Sequence, residues 1–184
     1  MVRDTANRYR GLPPRTPEML LQVIRKFYRG AVSHYDWIQE KKAETLQAWE
    51  QYRQTGKPDE LGKALTVLFQ EFHFYVTCWL QIDLALFRLA RMEESKLYQE
   101  VREQFHAEIE RHLAVRAKLE DISNAVEEQY LHFGEELRCV PEDRYWIDGA
   151  FFTVEEDSLQ TLHKLAQMVT AITEKQQQKE PPCQ

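Results

Sequence analysis

Glu103 and His106 stand three residues apart in "EQFHAEIERH", a spacing that puts a carboxylate and an imidazole on one helix face. Helical bundles build carboxylate-bridged metal sites from such Glu-x-x-His pairs, with further glutamates on the facing helices. Glu71, in the preceding hydrophobic segment, is the glutamate that would oppose this pair. The pairs Glu108/His112 and Glu128/His132 are four apart, which shares a face but does not repeat the motif. Glu71, Glu103 and His106 therefore make half of a ferritin-like site. The expectation is a solvated face of a Glu-rich helix, with no metal and no cofactor.

Nucleophilic chemistry has less support. Ser33-His34 and Cys78 lack visible orienting groups, and no Gly-rich phosphate loop is present. Glu71, His73 and Asp83 lie inside an apolar segment, where a carboxylate is costly unless paired. Arg88, Arg102, Arg116 and His112 are the cross-helix partners available to them. His112 and Arg116 also fall in the series Phe105, Ile109, His112, Arg116, Leu119, one helical face. Two polar groups in that stripe are expected to line an interface.

The elements that must position these groups are helices. Thr16, Pro17 and Glu18 make a helix start, and apolar residues from Leu20 to Ile38 follow at helical spacing. Gly56 and Pro58 mark a stop and a restart. The second helix is expected over 58–92 and is apolar on most faces, which makes it the central, buried one. After "MEES", with Ser95 as a cap, a third helix is expected over 96–121. Its face repeats every four residues, through Leu97, Val101, Phe105, Ile109 and Leu113. A shorter fourth helix follows, with Asn124 and Glu127 read as a capping box and Gly134 as the end. Asp148-Gly149, between aromatic and β-branched residues, predicts a small hairpin or extended loop. Thr153 and Glu156 predict the cap of a last helix.

Composition sets the class. The chain has 184 residues, 43% hydrophobic and 29% charged, with six glycines and seven prolines. That suits one globular domain. Net charge is −6, which gives the whole chain no strong pull on nucleic acid. Residues 1–30 hold seven basic against two acidic residues, a formal +5 that leaves −11 for the remainder. That segment is expected to face protein or solvent, including the acidic body of a second copy. Three cysteines, Cys78, Cys139 and Cys183, show no metal-type spacing, and Cys78 reads as a buried small hydrophobe. Neither a secretory signal nor an apolar run of about 18 residues is visible, so a cytoplasmic location and no membrane are expected.

The layout of long antiparallel helices, a short helix after a polar break in "ISNAVEEQYLHFGEEL", a loop and a final amphipathic helix resembles the HEPN family of all-α domains over most of residues 17–175. The resemblance implies a dimer and, in many members, metal-independent RNA cleavage by Arg-x4-6-His. The arginine would hold phosphate charge, and the histidine would do general acid–base chemistry. At the corresponding place Asn124 matches the polar position. Ser123 stands where arginine is expected, Glu128 where histidine is, and His132 comes one turn later. A literal match, "RGAVSH", Arg29 to His34, falls in the first helix.

The sequence therefore predicts an all-α antiparallel bundle of four to five helices, with a small hairpin or extended loop before the last. Residues 1–16 form a basic irregular arm, 17–175 a single domain and 176–184 a disordered polar tail. The expected function is non-catalytic, through self-association as a homodimer or contact with another protein. The alternative is a HEPN-type ribonuclease, in toxin or defence use, acting on RNA through Asn124, His132 and Arg138. The metal-binding bundle at Glu71, Glu103 and His106 ranks third.

Overall fold

The computed structural model describes residues 15–92, 96–147 and 149–177. Residues 176 and 177 belong to the last helix and not to the expected tail over 176–184. Residues 1–14 of the expected arm over 1–16, the Ser95 cap, Asp148, Cys183 and residues 178–184 of that tail lie outside the described residues. Within them the chain is all-α, with a single two-stranded sheet.

Helix α1 spans Pro17–Thr55 and α2 spans Asp59–Met92, packed side by side as a long hairpin. Thr16 caps α1 by accepting from the Met19 N–H, and Gly56 ends it with φ +69°, a left-handed conformation that glycine adopts without strain. Gly30 marks a close approach: a methyl there would sit 3.4 Å from Cys78 Sγ on α2. Helix α2 buries Leu61, Leu65, Phe69, Phe72, Tyr75, Trp79, Ile82 and Leu86 among others and contacts α1, α3, α4 and α5. The nearly all-round apolar pattern thus does make it the central helix.

The expected third helix is two. Helix α3 spans Leu97–Gln104 and α4 spans His106–Lys118, with a break at Phe105. The spacing explains it. A four-residue repeat on a 3.6-residue helix drifts by about 40° per step, so a straight helix would carry Leu113 away from the side that buries Val101. With the break, Tyr98, Val101 and Phe105 are buried before it, and Ile109, His112, Val115 and Leu119 after it.

Helix α5 spans Ile122–Phe133 and is followed by a 3₁₀ turn at Gly134–Glu136 and the short α6, Cys139–Glu142. Asp121, not Asn124, is its cap, accepting from the Asn124 N–H at 3.1 Å. Asn124 sits in the first turn, and its amide donates to Glu128. Strands β1, Tyr145–Ile147, and β2, Ala150–Phe152, pair antiparallel, with Gly149 at φ +75° in the turn. Helix α7, Glu156–Gln177, closes the bundle against α1 and α3. Thr153 does not cap it; its hydroxyl donates to Asp143 Oδ1 at 3.0 Å. Asp143 also accepts from Lys42 Nζ, which donates to the Val154 carbonyl as well, so one lysine of α1 pins both sides of the hairpin.

Candidate functional site

The polar groups of α2 are satisfied across helices. Arg102 donates to both oxygens of buried Asp83, at 2.6 and 3.3 Å, the cross-helix pairing the sequence allowed for. Glu71 instead meets His34 Nδ1 on α1 at 2.7 Å. His34 stacks on Phe74 and meets Trp37 edge-on. His34 of the literal Arg29-to-His34 match is therefore held as a hydrogen-bond and ring partner.

The metal-type residues do not assemble. Glu71 is held by His34. Glu103 accepts from Gln99 on the exposed side of α3, and His106 is exposed, 4.0 Å from Glu110. No group of three His, Cys, Asp or Glu side chains is placed to hold a metal among the described residues. The i, i+3 pair spans the break at Phe105, so the spacing rule for a continuous helix does not apply there.

His112 is not an interface residue, because it is fully buried within one chain. Its ring stacks on Trp79 at 4.5 Å, and Tyr75 and Phe152 surround it. Nδ1 lies 2.7 Å from the Glu108 carbonyl, which can only accept, so Nδ1 carries the proton. Nε2 then accepts from Ser158 Oγ at 3.0 Å, and Ser158 accepts from the Tyr75 hydroxyl at 2.9 Å. Burial lowers the imidazole to about 3 and pushes the Tyr75 phenol up to about 12. Serine, histidine and a glutamate nearby are the ingredients of a hydrolytic triad. Here Ser158 and His112 are both buried, and the histidine is held neutral. The arrangement is a closed polar chain tying α2, α4 and α7 together. Ser158 gave no signal in the sequence, because its partners are 46 and 83 residues away. Arg116, half-buried one turn after His112 on α4, pairs with Glu120 at 3.0 Å.

The ribonuclease residues lie apart in role. Asn124 binds Glu128, and Arg138 donates to Glu136 at 2.6 Å. His132 is exposed and stacks flat on Trp146, with ring centres 4.1 Å apart and planes 8° apart. Asn124 and His132 are eight residues apart on α5, about 12 Å of helix rise, more than one phosphate group spans.

What the structure does gather around His132 is an exposed aromatic corner. Phe151 is 41% exposed, meets Trp146 edge-on and carries Arg144 over its face at 4.2 Å. Phe133 completes the ring contacts. Leu131 is 85% exposed, and helical spacing places it beside Glu127 and Glu128. Between Lys118 and Arg138 the chain carries six carboxylates and no lysine or arginine. Gln129 positions the whole corner. Buried on α5, it accepts from the Trp146 N–H at 2.9 Å and donates to the Trp146 carbonyl at 2.8 Å. One side-chain amide thus serves β1 as a neighbouring strand would. Sequence reasoning missed Gln129, since nothing local distinguishes it from a surface glutamine.

Comparison with known family models, curated proteins and solved structures finds no match to this chain. No described helix is long and apolar enough to cross a membrane.

Proposed function

We propose that this chain is a non-catalytic helical interaction protein that self-associates. In this reading the acidic aromatic corner of α5 and the hairpin docks on the basic first segment of a second copy. One observation carries it: Leu131, 85% exposed on a face with Glu127 and Glu128, and next in the chain to His132, whose ring meets Phe151. An apolar centre with a charged rim is the anatomy of a protein contact. The complementary charge is in the same chain, in the formal +5 of residues 1–30. Reciprocal docking of two copies closes as a two-fold dimer. The layout that resembles the HEPN family supports the same reading, since dimers are usual there.

Sedimentation tests it. A dimer is expected at micromolar concentration, with Leu131→Asp and Phe151→Ser each shifting the protein to monomer while the helical circular dichroism is kept. A monomer at every concentration would sink the proposal. RNA incubated in excess EDTA is expected to stay intact with the native protein and with His132→Ala alike. Cleavage that His132→Ala abolishes would instead establish the ribonuclease reading.

A further inference from the structure

Helices α1 and α7 leave a cleft of about 420 Å³ between them, within the size range of small-molecule sites. Arg25 and Arg29 stand at it one helical turn apart on α1. No carboxylate holds either of them among the described residues. Arg102, Arg111, Arg116 and Arg138 each have one, while Arg53, Arg91 and Arg144 lie over aromatic rings instead. From the same helix, Tyr28 Oη reaches His163 Nδ1 on α7 at 2.9 Å. That bond fixes the imidazole at the cleft and leaves Nε2 for a ligand. When the phenol donates, Nε2 carries a proton and is itself a donor.

Two guanidinium groups and an imidazole N–H match a phosphate dianion in charge, and its three terminal oxygens can take all three. The remaining lining is not that of a site for a bare anion. Leu21, Ile24 and Val169 give the cleft an apolar wall, and Glu174 adds an acceptor on α7. A carboxylate there repels a second anionic group but accepts from a hydroxyl or amino group. Arg25 and Arg29 are counted in the basic first segment of the self-association reading, but the cleft needs only one copy, and we propose that it binds a nucleoside monophosphate. Its phosphate lies on Arg25, Arg29 and His163, and its nucleoside lies against the apolar wall, with an N–H or O–H on Glu174.

The probe is AMP, in equilibrium dialysis against the full chain, with adenosine and inorganic phosphate in parallel. AMP is expected to bind, and each of the other two at least about tenfold more weakly. Arg25→Gln and Arg29→Gln are expected to weaken AMP binding by about tenfold each. Lys57→Gln, at the far end of the α1–α2 hairpin, is expected to leave it unchanged. Both arginines are exposed, so loss of binding with an unchanged circular dichroism spectrum reports the site and not the fold. The proposal is overturned if adenosine or inorganic phosphate binds as tightly as AMP. AMP binding that survives both arginine substitutions, or no AMP binding at about 1 mM, overturns it equally.

Discussion

At the scale of single residues, His112 shows how a titratable group can serve packing alone. Its neutral ring fits between Trp79 and the Ser158 hydroxyl, and burial lowers its pKa to about 3. An unfolded histidine titrates near about 6.5. Below that value the unfolded chain takes up a proton that the folded chain refuses. The stability contribution is therefore complete above about 6.5 and is lost as pH falls from there towards 3, by up to about 1.4 kcal/mol per pH unit. Burial and the nearby Arg116 lower His73 as well, which adds in the same direction. Urea unfolding at pH 7 and pH 5 is expected to show this loss, and His112→Phe is expected to reduce it to the part left by His73. An unchanged pH slope in that variant would remove His112 as its cause. Ser158→Ala leaves two buried groups, Tyr75 Oη and His112 Nε2, without their partner. The expected cost at neutral pH is about 2 kcal/mol in the same unfolding measurement.

At the scale of elements, the hairpin is too short to stand alone, because two strands of three residues make few backbone bonds. It is held by neighbours: Gln129 on α5 takes both backbone groups of Trp146, and Lys42 on α1 takes Asp143 and Val154. Tyr145 and Phe152 then pack on Phe72 of α2. Gln129→Ala is expected to cost about 2 kcal/mol. It should also speed hydrogen exchange at the Trp146 amide by more than at amides in the middle of α2. Equal exchange at Trp146 in the two proteins would mean that the hairpin does not depend on this bridge. The break at Phe105 has the same origin as the hairpin's anchoring: local pattern yields to what α2 requires of its neighbours.

At the scale of the whole molecule, charge is divided along the chain, with +5 in the first thirty residues and six carboxylates between Lys118 and Arg138. Self-association through those regions is an attraction between exposed charges, and salt screens it. Raising sodium chloride from about 0.05 to 0.5 M is expected to weaken the dimer by about tenfold in sedimentation. Association that strengthens with salt would point to a purely apolar contact, such as the face formed by Trp37 and Phe74.

The amino-acid order by itself determined what depends on neighbours in the chain. Helical periodicity, the Thr16 and Gly56 ends of α1, the buried character of α2 and the Asp148-Gly149 turn signal are all local, set by a few residues each. The Asp83–Arg102 pairing was legible as an option, since a buried carboxylate demands a partner, though not which arginine supplies it. Only the tertiary structure decided what depends on groups far apart in sequence. The stripe read as an interface carries His112 into the core because α2 and α7 close over it. Asp121 displaces Asn124 as the cap, and two equally suitable side chains three residues apart cannot be ranked by pattern alone. Gln129, Ser158 and the arginines beside His163 acquire their roles only when separate helices meet, and no spacing rule within one segment records that.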